Sequence, residues 1–329
     1  MERRRSGSLL VVAAAVLVAG CGRDDQAGDA IARDASRDAG RDEITGTDLE
    51  YRARQAGDLP SADAASVGGV ALPGGHRVEV DRSYVAVPDK APPGPVAWVS
   101  DEPVPEIGRL WSDLAARFSE TGLWPLVLEP LALDDDRPWW DGELDPTLSR
   151  QPDELAGVVL ESTLSGWWSE TMPSAEELED EEFAALLDDS LAPFGRTFPG
   201  VAPPPAGEMR PNTTMPVAAG HLGLVAVERP ADAPAVLGWT GPINYYNDVG
   251  PLTVVLRSWE DRYDAVVVGL GFDTLSIVAR RPPQTKDEAA ALAAEHFAVC
   301  PDLVLQGTEA IQNYAPLLRG QVNWGFWWD

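Results

Sequence analysis

The sequence predicts an α+β fold: two small mixed sheets, each covered by helices, behind a disordered N-terminal tether. Three observations predict it. Apolar residues recur at helical offsets in two stretches, Ile107-Leu110-Trp111-Leu114-Phe118 and Leu252-Val255-Leu256-Trp259-Tyr263. Short apolar runs such as 123–128 and 265–270 flank these stretches and read as strands. Residues 22–66 carry neither pattern.

The first twenty residues read as a lipoprotein signal peptide, the alternative being an ordinary secretory signal with Cys21 as a bystander or an uncleaved signal anchor. Arg3-Arg4-Arg5 make a cationic start, 9–18 are apolar, and Val18-Ala19-Gly20-Cys21 reads as a lipobox. Cleavage before Cys21 leaves that cysteine as the lipidation site. The apolar run falls short of the roughly 20 residues a spanning helix needs. Acyl chains on Cys21 would attach the protein to a membrane, each buried CH₂ contributing about 0.8 kcal/mol. The expected location is therefore the extracytoplasmic face of the cell membrane.

Residues 21–66 read as a disordered acidic tether. Arg-Asp recurs at 33–34, 37–38 and 41–42, and Tyr51 is the only aromatic residue. So little apolar surface cannot offset the entropy of ordering. As a coil, the segment would reach about 35–40 Å. The formal net charge of −28 repels phosphate backbones, which excludes nucleic acid as a partner. With Cys21 acylated, Cys300 is the only thiol left, so no intrachain disulfide can form.

Residues 67–192 read as a first mixed α/β domain. Val78 and Val80, then Tyr84, Val85 and Val87, then 95–99 are expected strands. The Trp111 helix follows, Gly122 stops it, and 123–128 returns as a buried strand. Ser174 with Glu177 forms a capping box that opens a helix bearing Leu178, Phe183, Leu186, Leu187 and Leu191. Proline and glycine crowd 193–218, which reads as a linker.

Residues 219–329 read as a second domain. A strand at 222–227 leads to a helix capped by Asp248 and carrying Trp259. The strand 265–270 turns through Gly271-Phe272-Asp273-Thr274 into 275–279 as a hairpin. Thr285 and Glu288 cap a helix that Pro301 closes, and 308–318 forms another. In the final strand Val322, Trp324, Phe326 and Trp328 share one face, and Trp327 points the other way.

This C-terminal stretch resembles the domain-of-unknown-function 4253 family of bacteria, common in actinomycetes. The likeness rests on Gly238-Trp239, Gly241-Pro242 with Asn244, and Leu256-Arg257-Ser258-Trp259-Glu260-Asp261-Arg262-Tyr263. It continues through Gly269-Leu270-Gly271-Phe272-Asp273-Thr274-Leu275, Ala294-Glu295-His296-Phe297-Ala298, Cys300-Pro301-Asp302, Gln306-Gly307 and Phe326-Trp327-Trp328-Asp329. The resemblance implies a shared fold and no activity.

Several groups could carry chemistry. Glu260, Asp273, Glu295 and His296 are the candidate catalytic residues, as general acids and bases of a hydrolase. His296 and Cys300 lie one turn apart on an otherwise apolar face, which reads either as core or as a nucleophile–base pair. No His or Cys spacing fits a metal, and no cofactor is implied. The acidic loop holding Asp134, Asp136, Asp141, Glu143 and Asp145 reads as a solvated loop or a calcium site. Trp239, Asn244, Tyr245, Tyr246, Asn247 and Trp327 are the candidate binding residues, because tryptophan and tyrosine offer broad amphipathic faces. The resulting expectation is a lipid-anchored, non-catalytic binding module facing an envelope polymer or protein. The alternative is an envelope-associated hydrolase.

Overall fold

The computed structural model describes residues 51–129, 144–208 and 219–329. Cys21, the signal peptide and Asp134, Asp136, Asp141 and Glu143 lie outside the described residues. A small hairpin comes first, β1 (Ser66–Val67) with β2 (Val70–Ala71). Then follow β3 (Gly75–Glu79), β4 (Pro95–Ser100), β5 (Val104–Pro105), α1 (Ile107–Ala115), α2 (Phe118–Thr121) and β6 (Leu123–Leu128). After 144 come α3 (Leu160–Thr171) and α4 (Glu181–Leu191). Beyond 219 the order is β7 (Ala219–Ala226), α5 (Ala233–Leu237), α6 (Gly250–Tyr263), β8 (Ala265–Leu270), β9 (Thr274–Ala279), α7 (Lys286–Val299), α8 (Ile311–Leu318) and β10 (Asn323–Trp327).

The mixed class holds, but the two expected sheets are one. Strands line up as β10-β9-β8-β6-β7-β4-β3, with β5 paired to β7. Strand β7 enters antiparallel between β6 and β4, and β6 runs parallel to β8. The early and late halves of the chain therefore share one ladder. Glycine permits the close approach. A Cβ on Gly223 would stand 2.9 Å from Leu128 Cδ1, and one on Gly220 would stand 2.8 Å from Val127 Cγ1. Every residue of β6 and β8 is buried, so both faces of the sheet's centre are covered, as continuous apolar strands require.

The sequence-predicted helices fill in their apolar stripes. In α6, Leu252, Val255, Leu256, Trp259 and Tyr263 are all buried, and Asp248 Oδ1 accepts from the Gly250 N–H at 2.9 Å. In α1, Ile107, Trp111 and Leu114 are buried, and Trp111 Nε1 donates to the Pro125 carbonyl of β6 at 2.8 Å. The chain breaks before Phe118, which opens α2, and Gly122 (φ 63°) ends it. The Thr285–Glu288 box caps α7 as expected.

Other expectations need correction. The Ser174–Glu177 box forms, with Glu177 N 3.3 Å from Ser174 Oγ, but it opens only a short turn. Asp180 accepts from the Glu182 and Phe183 amides and begins the helix proper, which leaves Leu186 exposed. Residues 84–87 form a turn and not a strand. The last helix starts at Ile311, after a π-helical turn from Leu303 to Thr308. Helix α3, absent from the sequence reading, buries Leu164 and Trp168.

The expected tether is docked from Tyr51 onward. The Tyr51 ring meets Trp124 edge-on at 5.5 Å and lies under the Arg280 guanidinium at 4.7 Å. Ala53 N donates to the Glu228 carbonyl, and Gly57 N to the Gly122 carbonyl, both at 3.0 Å. A Cβ on Gly57 would sit 2.0 Å from the Thr121 carbonyl oxygen, so the strand-like strap needs glycine there. Within the expected linker, 193–208 is packed as well: Phe194, Phe198 and Val201 rest on the core and Ala202 is buried.

Candidate functional site

Helices α6 and α7 bring Trp259, Arg262, Glu295 and His296 together. Glu295 is fully buried and faces Arg262 in a two-point ion pair, Nη1 to Oε1 at 2.8 Å and Nη2 to Oε2 at 2.7 Å. The Ala202 N–H donates to Oε1 at 2.6 Å and Trp259 Nε1 to Oε2 at 2.7 Å. Arg262 Nη1 also reaches the Ala202 carbonyl at 2.7 Å. The carboxylate is saturated by four donors and locks the 193–208 segment to both helices.

His296 is enclosed by rings. Trp259, Trp324 and Phe326 lie 4.8–5.0 Å away between centroids, and Tyr314 shares a 2.9 Å hydrogen bond with Nδ1. Burial, helped by the Arg262 charge, holds its pKa down at about 3, so the ring is neutral. Its Nε2 has no hydrogen-bond partner. Cys300, one turn on, is buried and donates to the Trp327 carbonyl. Burial pushes its thiol up to about 12, the opposite of what a nucleophile needs.

Glu260 faces a different partner set. Arg229 Nε donates at 2.8 Å and the Ala231 N–H at 2.6 Å. Burial outweighs Arg229 and raises its pKa to about 7. Asp273 sits in the β8–β9 turn, where burial raises its carboxyl above the usual range, and its carbonyl accepts from the Trp328 N–H at 3.1 Å. The four candidate catalytic residues thus divide among separate local networks, and only the chain neighbours Glu295 and His296 share one.

The candidate binding residues also divide. Trp239 is 1% exposed, donates from Nε1 to the Gly271 carbonyl at 2.8 Å and meets Trp328 edge-on at 5.6 Å. It is core, and so are Trp98, Trp124, Trp168, Trp259 and Trp328. Trp327 is half-buried. The loop 243–247 is different: Ile243, Asn244, Tyr245 and Asn247 are exposed. The Tyr246 ring stacks on Trp167 at 4.7 Å and 13° between planes. Tyr245 donates its hydroxyl to Asp302, a buried carboxylate that also accepts from Gln306 Nε2 at 2.7 Å and Asp329 N at 3.0 Å. Asp302 escaped the sequence reading as a positioning group, although Cys300-Pro301-Asp302 had stood out as a string.

Among the described residues, no group of three or more His, Cys, Asp and Glu side chains is placed to hold a metal ion. Asp145 is buried and accepts from the Ala86 and Thr147 N–H groups at 2.7 and 3.0 Å, so it pins the chain. No described helix is long and apolar enough to cross a membrane. The sequence reading also missed an open cleft of about 490 Å³ beside β3 and β4, whose walls come from segments far apart in the chain.

Residues 221–329 match the family model described as Domain of unknown function (DUF4253). The resemblance read from the sequence holds over that stretch. No curated protein and no solved structure matches the chain.

Proposed function

We propose that this protein is a non-catalytic binding module held at the extracytoplasmic face of the cell membrane by lipid on Cys21. The lipobox supports the address. The loop 243–247 supports the binding: two exposed asparagine amides and the exposed Tyr245 ring suit the hydroxyls and C–H faces of an envelope polymer.

One observation favours binding over hydrolysis. The carboxylates of Glu260 and Glu295 are directed inward onto Arg229 and Arg262, while His296 turns to Tyr314. None of these three, nor Asp273, lines the open cleft. A hydrolase needs its acid and base converging on a space where substrate can sit.

Two measurements test the proposal. Cys21→Ala should move the protein out of the membrane fraction; retention to the wild-type extent would refute the lipid anchor. Full-length protein should co-sediment with purified cell-wall sacculi, and the Asn244→Ala/Asn247→Ala double variant should lose most of that binding at unchanged melting temperature. Equal sedimentation of the variant would remove the loop from the reading.

A further inference from the structure

We infer that the cleft beside β3 and β4 binds a small organic anion with a flat apolar body. It is a second site, sharing no residue with the loop 243–247.

The walls come from five parts of the chain: the docked strap at 57–59, Arg77 of β3, the 90–96 turn into β4, the 146–151 segment, and Ala226 with Val236. Its volume of about 490 Å³ falls within the range of small-molecule sites. Pro92, Pro95 and Pro146 supply flat apolar surface, with Val96 and Val236 beside them.

Charge selects the ligand. The lining carries Arg77 and Lys90 against the single carboxylate of Asp58. This local excess of positive charge lies in a chain of formal net charge −28, where Lys90 and Lys286 are the only lysines. Arg77 donates to two neutral carbonyls, Nε to Pro60 at 2.7 Å and Nη2 to Leu59 at 2.6 Å. Those bonds fix the guanidinium without cancelling its charge, and its Nη1 has no partner among the described residues. Lys90 forms no ion pair among the described residues. Arg82 braces the turn carrying Lys90, donating to the Pro88 and Ala91 carbonyls at 2.9 and 3.3 Å. An anion repelled by the rest of the surface meets two cations against one carboxylate here, a net positive charge. Its charged end would take Lys90 and the open edge of Arg77, and its body would lie on the prolines.

The test is calorimetric titration of the full chain with 1-naphthaleneacetate and with the uncharged 1-naphthaleneacetamide, which has the same ring body. The acetate should bind one to one and about tenfold more tightly than the amide. Lys90 is exposed, so Lys90→Gln leaves the fold intact; it should abolish that preference, whereas Lys286→Gln keeps it. Absence of acetate binding, equal affinity for both compounds, or an unchanged preference in Lys90→Gln would overturn the inference. Displacement of the acetate by millimolar inorganic phosphate would also overturn it, by showing a bare anion site with no role for the apolar walls.

Discussion

Arg262 and Glu295 meet through two parallel N–H···O contacts of 2.8 and 2.7 Å, and the carboxylate is wholly shielded from water. Removing one member of such a pair strands the other charge in a dry interior, at a cost of about 3–5 kcal/mol. Glu295→Ala should therefore lower the midpoint of urea unfolding sharply. Replacing both residues together by apolar side chains of similar volume should be milder. A single substitution with an unchanged midpoint would show that the pair does not hold these helices.

Two buried groups give stability opposite slopes with pH. His296 titrates near 3 when folded and near 6.5 when unfolded, so its contribution is full above 6.5 and is lost as pH falls toward 3. Glu260 titrates near 7 when folded and near 4.5 when unfolded, so its contribution is full below 4.5 and is lost as pH rises through 7. Each slope is at most about 1.4 kcal/mol per pH unit. Unfolding midpoints measured from pH 4 to 8 should show His296→Gln flattening the acid-side loss and Glu260→Gln flattening the loss toward neutrality.

Cys300 should resist alkylation. Its thiol is buried, hydrogen-bonded to the Trp327 carbonyl and raised to about 12. Iodoacetamide at pH 8 should leave it unmodified in the native protein and label it rapidly in urea, as read by mass spectrometry. Fast native labelling would mean that the C-terminal strand opens readily.

Gly57 and Gly122 interlock the strap with the end of α2. A methyl group at Gly57 would fall within 2.0 Å of a backbone oxygen, so the strap must lift to accept it. Gly57→Ala should destabilise by about 1–3 kcal/mol. Limited trypsin digestion should then cut at Arg52 or Arg54 much faster than in the wild type.

The helices and strands of the C-terminal stretch were legible because their signals are local. The offsets of Leu252, Val255, Leu256, Trp259 and Tyr263 state a helix, and 265–270 states a buried strand. Helix α3 was hidden by Gly166 and by its serines and threonines, which dilute the stripe of Leu160, Leu164 and Trp168. The insertion of β7 between β6 and β4 could not be read, because pairing partners far apart in sequence leave no local mark. Trp239 misled for a related reason: composition reports an aromatic but not its direction. Glu295 and Arg262 were visible as charges, yet only packing shows that each satisfies the other. The cleft was illegible because Arg77, Lys90 and Gln151 meet only once the chain is folded.

The position of β7 bears on how this sequence may be cut. The family match begins at His221, inside a strand whose two hydrogen-bonding sides are occupied by β6 and β4. A fragment trimmed to the matched boundaries would keep β7 but lose both its neighbours, β6 and β4, and would leave β8 paired on one side only, with β9. It would present bare amide and carbonyl rows to solvent and invite self-association. Recombinant material meant to represent this family segment should therefore be made together with the 51–129 region that completes it.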